Sequence, residues 1–326
     1  MIGRLDLIGG KMQKVDPIPQ NLEDEPSFKA GFVSVIGRPN VGKSTLLNAM
    51  LGQKVAAVSP KPQTTRKQQL GIFSNDRAQI IFIDTPGIHI ARHKLGDYMN
   101  RAAELALLDG DLILWIVDIS VAPTEEDRLI AEKINAQFSH PKVMIVCNKI
   151  DQVSEEKRST NQSQYQNLVP TAECVVVSAT QKLGTSELVI SIINELPWGQ
   201  AYYDPDQVTD FYERDIAVEL IREAVLRHLE EEVPHAVAVR LDSYEDRGED
   251  LAYIMATLFV ERESQKGIVV GKQGSKIKEI GKTARKEIEE MTGRRIYLDL
   301  RVKVHKNWRN NPDALNLMGY ILQEDK

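Results

Sequence analysis

Cysteine is scarce in this chain, which argues against stabilisation by disulfide bonds. The 326 residues include two cysteines, Cys147 and Cys174, and both lie in apolar stretches typical of strands. We therefore expect buried, reduced thiols rather than a disulfide or a metal site.

Long hydrophobic runs are absent as well. No apolar stretch approaches the roughly 20 residues of a membrane-spanning helix, and residues 1–16 lack the sustained apolar segment of a signal peptide. The hydrophobic fraction of 42% and the charged fraction of 27% are ordinary for globular proteins and exclude collagen-like, low-complexity and wholly disordered classes. We expect a cytoplasmic protein.

The length is sufficient for two domains, each with its own core. Residues 1–28 contain prolines and an acidic run without helical or strand periodicity, so we predict a disordered leader. Residues 29–197 alternate apolar strands with helical stretches and form the first predicted domain. A linker rich in proline, glycine and aspartate follows at 198–208, and 209–326 form the second domain.

A glycine-rich segment follows the first apolar strand and precedes a helical stretch. Its glycines allow a tight turn in which backbone N–H groups and the positive end of the helix face phosphate oxygens. Lys43 would add charge at the β- and γ-phosphates, and the Ser44 hydroxyl would bind Mg²⁺. This predicted phosphate loop consists of Gly37, Arg38, Pro39, Asn40, Val41, Gly42, Lys43 and Ser44.

Selection of the base is predicted at a second strand end. Asn148, Lys149 and Asp151 follow the apolar run 143–147. The Asp151 carboxylate can accept from the two donors on the guanine edge, whereas adenine would leave it unpaired. Ser178 and Ala179 follow another apolar strand and are expected to support the guanine ring through main-chain groups.

Between these segments lies a predicted sensor of the third phosphate, formed by Asp84, Thr85, Pro86 and Gly87 after the strand at 80–83. Asp84 is expected to hold a magnesium-bound water, and the Gly87 N–H to face the γ-phosphate. In the preceding run 63–66, a threonine hydroxyl would complete the magnesium shell only with GTP bound. We favour Thr65 over Thr64, so the predicted magnesium ligands are Ser44, Thr65 and, through water, Asp84.

Ligand sites at the carboxyl ends of parallel strands are typical of doubly wound α/β sheets. The first domain is therefore predicted to be a P-loop GTPase that binds GTP or GDP with Mg²⁺. Lys43, Thr65, Asp84 and Gly87 form the expected catalytic set for in-line attack of water. Ile88 occupies the position where many regulatory GTPases have a water-orienting glutamine, so we expect slow intrinsic turnover.

The periodicity of the second domain predicts the order helix, strand, strand, helix, helix, strand, which is an α+β pattern. A Gly-x-x-Gly turn joins two of its helical pieces, and such a turn lets a nucleic acid backbone approach closely while lysines supply charge. The predicted RNA-binding residues are Gly271, Lys272, Gln273, Gly274 and Lys276.

Basic charge is concentrated around this turn. Residues 266–309 contain 13 Lys and Arg against 5 Asp and Glu, whereas the rest of the chain has 28 against 42. A basic surface on an otherwise acidic protein favours binding of phosphate through one face only. A solvated basic face without a ligand is the simpler alternative, but it does not explain the Gly-x-x-Gly turn.

Together these segments resemble the Era family of bacterial ribosome-associated GTPases, in which a GTPase domain precedes a type II KH domain. The resemblance covers about residues 30–321 and rests on GRPNVGKST, KPQTTR, DTPGIH, NKID, SAT, TDFYERDIAVELIRE, IVVGKQGSKIKEIG and VKVHKNWRNNPDALNLMGY. It implies a monomeric factor that binds the 3′ end of 16S ribosomal RNA and assists assembly of the 30S subunit, with GTP controlling its affinity. It also implies peripheral membrane contact, and a potassium ion near Asn40.

Two other functions remain open from the sequence. Ile88 is compatible with an RNA-binding module that holds guanine nucleotide structurally and hardly hydrolyses it. A membrane-associated or cell-cycle regulator would use the basic face against anionic lipid. That reading requires exposed apolar residues beside the lysines, and we expect Ile277, Ile280 and Ile288 to be in the core instead.

Overall fold

A computed structural model describes residues 28–59, 61, 64–136, 141–248 and 250–321 of the chain. The predicted leader at 1–28 lies outside this range except for Phe28, and so do Pro62 and Gln63 of the run before Thr65. The described residues form a six-stranded sheet flanked by helices, followed by a three-stranded sheet with helices on one face.

The first sheet has the strand order β2-β3-β1-β4-β5-β6. All neighbouring strands are parallel except β2, which pairs antiparallel with β3. Its strands are β1 Lys29–Ile36, β2 Gln69–Ser74, β3 Ala78–Asp84, β4 Leu112–Asp118, β5 Lys142–Asn148 and β6 Glu173–Val176. Its helices are α1 Lys43–Leu51, α2 Lys94–Asp109, α3 Glu125–Asn135, α4 Glu155–Leu168 and α5 Thr185–Glu195.

The central strands β3 and β4 are buried along their whole length, as continuous apolar runs require in a sheet covered on both faces. Separate apolar clusters lie on the two faces, one around Leu46 and Phe82 and the other around Trp115. This packing places the carboxyl ends of β1, β3, β4 and β5 along one edge, where the predicted nucleotide residues follow.

Cys147 is buried within β5, and Cys174 in the edge strand β6 is only half-buried. Both thiols are free. The expectation of buried thiols was therefore right for Cys147 and too strong for Cys174, because an edge strand has a neighbour on one side only.

The second domain also follows the predicted order of elements. Its helices are α6 Glu213–His228, α7 Glu263–Val270, α8 Ser275–Thr292 and α9 Pro312–Leu317, and its strands are β7 Ala238–Asp246, β8 Leu251–Val260 and β9 Arg295–Val304. β8 is central, antiparallel to β7 and parallel to β9. Residues from α6 and α8, including Ile221, Ile280 and Ile288, form one core with the inner face of the sheet.

The connection between the domains runs along the outer strands of the first sheet. The Ile72 N–H donates to the Val208 carbonyl at 2.8 Å, and the Gln79 side chain accepts from the Tyr202 and Tyr203 N–H groups at 2.7 and 2.9 Å. The segment is therefore attached to the first sheet. Within the described part of the chain, no helix is long and apolar enough to cross a membrane.

Candidate nucleotide and RNA sites

The predicted phosphate loop lies between β1 and α1. Gly42 has a φ of 100°, and a Cβ atom there would lie 2.4 Å from the Asn148 side-chain nitrogen. Both the backbone angle and this close approach exclude a side chain at Gly42. The loop is thus held against the predicted base-binding segment while its amides precede the positive end of α1.

Lys43 is the charged group of this loop and is only 7% exposed. Its ammonium donates to the Gly37 and Arg38 carbonyl oxygens at 3.0 and 3.1 Å. Burial lowers the pKa of Lys43 to about 8, and the nearby Asp84 carboxylate opposes this shift. A phosphate anion beside Lys43 would favour the protonated form, so the environment suits an anionic ligand.

Three oxygen-bearing side chains converge beside Lys43. The Ser44 hydroxyl lies 3.0 Å from the Thr65 hydroxyl and 3.3 Å from Asp84 Oδ2, and Thr65 lies 3.4 Å from the same carboxylate oxygen. By contrast, the Thr64 hydroxyl donates to the Lys61 carbonyl at 2.8 Å. The geometry thus places Thr65, the threonine favoured from the sequence, with the predicted magnesium ligands.

Asp84 gives a test of whether this cluster suits Mg²⁺. It is fully buried, and its Oδ1 atom has no hydrogen-bond partner among the described residues. Burial raises the pKa of Asp84 to about 6, with Lys43 opposing the shift. A buried carboxylate oxygen without a donor, beside two hydroxyl groups, is the oxygen-rich environment that Mg²⁺ prefers. The residues therefore fit the ion.

The sensor segment after Asp84 touches the phosphate loop directly. The Thr85 hydroxyl donates to the Val35 carbonyl at 2.7 Å. A Cβ atom on Gly87 would lie 2.7 Å from the Pro39 nitrogen, so only glycine fits this contact. Gly87 therefore lies next to the loop that would hold the phosphates, and Pro86 connects it to Thr85.

Ile88 is fully buried in the cluster around Trp115. It lies in the core rather than at the nucleotide site and has no group that could orient water. The next residue, His89, is 8% exposed, and its Nδ1 atom lies 2.8 Å from the Gly87 carbonyl oxygen. The Asn100 side-chain amide fixes its backbone by donating to the His89 carbonyl at 2.7 Å.

The predicted base site is joined to the phosphate loop by Asn148. Its side chain donates to the Val41 carbonyl at 2.8 Å and accepts from the Ala179 N–H at 3.0 Å. Asp151 is exposed, and one of its carboxylate oxygens accepts from the Ser178 hydroxyl at 2.6 Å. Ser178 thus orients the Asp151 carboxylate, which can still accept from a base.

One carboxylate of this region was missed in the sequence. Asp118 ends β4, and its Oδ2 atom accepts from Lys149 at 2.6 Å and lies 3.7 Å from Arg38. Burial favours its neutral form, but hydrogen bonds from Lys149 and Ser120 outweigh this and lower the pKa of Asp118. Its position at the carboxyl end of an apolar strand was a usable signal. Asp118 fixes the Lys149 stem beside the predicted base site.

The segment that contains Thr65 also contacts the second domain, which the sequence did not indicate. Arg66 is 1% exposed, and its guanidinium donates to the Val237 carbonyl at 2.8 Å and the His235 carbonyl at 2.9 Å. From α6, the buried Arg222 donates to the Thr64 carbonyl. The residues on both sides of Thr65 are therefore bonded to the second domain.

Helix α2, which follows the predicted sensor segment, makes a separate contact with the same domain. Leu95 and Met99 of α2 pack in one cluster with Phe259, Trp308 and Tyr320. The Trp308 indole nitrogen donates to the Ala236 carbonyl at 2.9 Å, which fixes the ring against the sheet. The segment that contains Thr65 and the helix that follows the predicted γ-phosphate sensor thus both contact the second domain.

The Gly-x-x-Gly turn lies between α7 and α8, as predicted. Gly271, Gln273 and Gly274 all have positive φ angles, of 72°, 53° and 75°. A Cβ atom on Gly271 would lie 2.6 Å from the Lys276 Cβ. Lys272 and Gln273 are exposed, and Lys276 forms an ion pair with Glu279 at 2.8 Å. The turn presents its backbone and Lys272 to solvent.

A cleft of about 460 Å³ lies between α8 and β9 in the same domain. Its apolar floor includes Ile277, which is half-buried, so the expectation that Ile277 belongs to the core was wrong. The lining residues are Ile277, Lys278, Gly281, Lys282, Arg285, Ile296, Tyr297, Leu298 and Leu300. An apolar floor with a basic rim is suited to bases and phosphates of a single strand.

The fold and these sites define a P-loop GTPase domain joined to a KH domain. Residues 32–149 match a family described as 50S ribosome-binding GTPase, and residues 232–309 match the KH domain. A structure of Era in complex with MgGDPNP and nucleotides 1506–1542 of 16S ribosomal RNA is 38% identical, with 90% of this chain and 100% of that chain covered and a TM-score of 0.86. The chain belongs to the Era family.

A second similar structure is an Era variant from Aquifex aeolicus bound to GDP and AlF₄⁻. It has the same 38% identity, the same coverage of 90% and 100%, and a TM-score of 0.86. Because the match covers 90% of this chain, the likeness includes both of the domains described here.

Proposed function

We propose that this protein is a GTP-hydrolysing switch that binds the 3′ end of 16S ribosomal RNA through its KH domain and assists assembly of the 30S subunit. The observation that carries the proposal is the segment 64–66. Its middle residue, Thr65, lies in the magnesium-type cluster, while Arg66 is bonded to the KH domain. One short segment thus belongs to both sites. The Era complexes with MgGDPNP and 16S RNA, and with GDP and AlF₄⁻, support the same reading.

In this proposal Lys43 and the loop amides neutralise the β- and γ-phosphates, and Asp151 selects guanine. Ser44, Thr65 and, through water, Asp84 would hold Mg²⁺, which supplies Lewis-acid neutralisation of the phosphate charge. The Gly87 N–H would donate to the γ-phosphate. Release of that phosphate after hydrolysis would remove the contacts that hold Thr65 and Gly87 in place.

Water activation is the unusual part of the reaction. Because Ile88 is in the core, no side chain at that position can orient the attacking water, and slow intrinsic turnover is part of the proposal. A potassium ion near Asn40 would supply positive charge instead. Asn40 lines the small cavity beside Lys43 and Gly87, and its amide oxygen is of the ligand type that potassium accepts. A higher rate in potassium than in sodium chloride is the expected sign.

The proposed RNA contact consists of the Gly271–Gly274 turn, Lys272, Gln273 and Lys276, continued by the basic cleft along α8. A cytoplasmic location and a monomeric state complete the proposal. Contact with anionic lipid has weaker support, because Ile280 and Ile288 are fully buried. Of the three α8 isoleucines considered, Ile277 alone offers partly exposed apolar surface beside the lysines, which is little for an interfacial helix.

The decisive experiment measures binding of a single-stranded RNA from the 3′ end of 16S RNA by fluorescence anisotropy. The protein is loaded with a non-hydrolysable GTP analogue or with GDP. We expect tighter binding in the GTP-like form, by about 5- to 150-fold, the usual range of coupling between two sites. Equal affinity in both forms would contradict the switch, and no binding in either would contradict the RNA assignment.

Two controls separate the other functions. Multiple-turnover phosphate release from GTP is expected, whereas a single bound nucleotide that is never released would indicate a structural role. The double variant Lys272→Asp with Gln273→Asp should lose RNA binding and keep GTP hydrolysis, because the turn belongs to the KH domain and does not line the cavity at Lys43. Anionic vesicles that displace RNA from the wild type would favour the lipid reading.

A further inference from the structure

Two tyrosines stack on the sheet face of the KH domain that the helices leave uncovered. Tyr253 of β8 and Tyr297 of β9 are paired in register, with ring centroids 5.5 Å apart and an interplanar angle of 20°. The Arg247 guanidinium lies 4.5 Å from the Tyr253 ring centroid. The three side chains form a row that ends at Tyr297.

This row has no part in the core of the domain. Alternation along β8 and β9 sends Ile254 and Leu298 towards α6 and α8, and sends Tyr253 and Tyr297 the other way. Tyr297 is 63% exposed. Burying the ring would stabilise the sheet further, but Tyr297 instead leaves its ring available for contact with a ligand.

The uncovered face is open at one end only. Phe259, near the other end of β8, packs against Trp308 and the carboxyl-terminal helix α9. The row of Arg247, Tyr253 and Tyr297 lies beyond that cover. Since β9 is the last strand of the sheet, Tyr297 has Tyr253 on one side and the sheet edge on the other.

Tyr297 also borders the basic cleft between α8 and β9. Arg285 and Tyr297 both line it, and Arg285 is eleven residues after Gly274 along α8, or roughly 16 Å at 1.5 Å per residue. A Gly-x-x-Gly turn holds about four nucleotides in KH domains. Tyr297 therefore lies towards the end of the cleft that is far from the turn, where a bound strand would extend beyond the nucleotides that the turn holds.

Charge around Tyr297 favours a polyanion. In the described part of the chain, Lys278, Lys282, Arg285 and Arg295 form no ion pair. The acidic neighbours on the open face are already paired, Asp299 with Arg301 at 3.2 Å and Glu245 with Arg247 at 3.6 Å. Cations without carboxylate partners beside an exposed aromatic ring are the combination that binds single-stranded nucleic acid.

We propose that Tyr297 is a stacking platform for a base of single-stranded RNA just beyond the nucleotides held by the Gly271–Gly274 turn. Tyr253 and Arg247 support its ring from behind. This inference rests on the proposed RNA binding and extends it by one specific contact. Because every base has a flat face, the platform tolerates different bases and contributes affinity and register rather than sequence choice.

The test compares RNAs of two lengths from the same sequence. The short RNA spans only the nucleotides held by the turn, and longer versions extend it at the 5′ or the 3′ end. The variants are Tyr297→Ala, Tyr297→Phe, and the control Tyr202→Ala. Tyr202 is 58% exposed and also packs on an aromatic ring, that of Phe32, but it lies in the segment between the domains that is attached to the GTPase sheet. A fluorescent adenine analogue, 2-aminopurine, placed at each added position reports stacking by quenching.

We expect Tyr297→Ala to weaken binding of one extended RNA by about 5- to 150-fold, the effect of losing one stacked base. Binding of the short RNA, and the GTP hydrolysis rate, should not change. Tyr297→Phe should retain both the affinity and the quenching because it keeps the ring, and Tyr202→Ala should resemble the wild type.

Equal loss on short and extended RNA, or no loss on either while the wild type binds both, would overturn the platform. Quenching that persists in Tyr297→Ala would place the added base elsewhere and overturn it too. If the wild type bound neither RNA, the failure would lie with the proposed RNA-binding function itself, so the two ideas fail in different ways.

Discussion

Arg66 and Val237 connect the nucleotide site to the KH domain. The Arg66 Nη1 atom donates to the Val237 carbonyl oxygen at 2.8 Å, and Arg66 directly follows the residue whose hydroxyl lies beside Ser44 and Asp84. Arg66 is 1% exposed, so little water reaches this contact, and that burial lowers the pKa of the guanidinium. A movement of Thr65 would thus disturb the buried hydrogen bond between Arg66 and Val237 of the KH domain.

Replacing Arg66 by lysine should uncouple the domains. A lysine has no forked donor to reach the Val237 and His235 carbonyls together, so at least one would lose its partner, at about 1 to 3 kcal/mol of stability. We expect nucleotide affinity close to wild type but RNA affinity that no longer depends on GTP or GDP. RNA binding by both loaded forms measures this, with Arg128→Lys on the exposed face of α3 as the matched control. A full nucleotide dependence in Arg66→Lys would exclude this route of coupling.

The sequence indicated those parts of the candidate site that depend on short segments at strand ends. The phosphate loop, the sensor and the Asn148 segment each have a local pattern, and the parallel sheet brings them together. The contact of Arg66 with Val237 had no such pattern, because the two residues are 171 positions apart and meet only through the packing of two domains.

In α8, the apolar period predicts the burial of some side chains correctly and of others wrongly. It correctly placed Ile280 and Ile288 in the core. It failed at Ile277, because periodicity gives the direction of a side chain but not how far the neighbouring sheet extends to cover it. Ile277 is half-buried and forms part of the floor of the basic cleft.

Lys43→Met should separate nucleotide binding from folding. The ammonium of Lys43 donates to two carbonyl oxygens, and burial lowers its pKa to about 8. Without nucleotide, the charge of Lys43 therefore contributes little to the stability of the folded state. We expect thermal unfolding near that of wild type without nucleotide, and GTP affinity lower by about 100-fold, or about 3 kcal/mol. Isothermal titration measures the affinity, with Lys142→Met on an exposed strand end as control. Unchanged GTP affinity would refute the assigned role of Lys43.

Asp151→Asn should alter the choice of base. The carboxylate offers two acceptor oxygens to guanine, and the amide of asparagine would set a donor against one of guanine's donors. We expect GTP affinity to fall by about 100-fold and xanthosine triphosphate, which has an oxygen in place of the amino group, to bind better than GTP. Competition among GTP, ATP and xanthosine triphosphate measures this, with Asp206→Asn in the linker as control. Retained preference for GTP would show that the base is selected elsewhere.

The folded protein should lose stability in acid through His235. Burial and three neighbouring cations lower the pKa of His235 to about 4; the cations are Arg66, Lys61 and Arg309. In the unfolded chain a histidine takes up its proton near 6.5, so between about pH 6.5 and 4 the unfolded state binds more protons and the folded state loses stability as the pH falls.

His235→Gln removes this proton and should flatten that part of the pH dependence. Because His235 is partly open to solvent, we expect a difference of only about 1 kcal/mol between the two proteins across this range. Urea unfolding at a series of pH values measures the slope. Identical slopes in His235→Gln and wild type would mean that other groups cause the acid sensitivity, and a steeper slope in the variant would reverse the sign argued for His235.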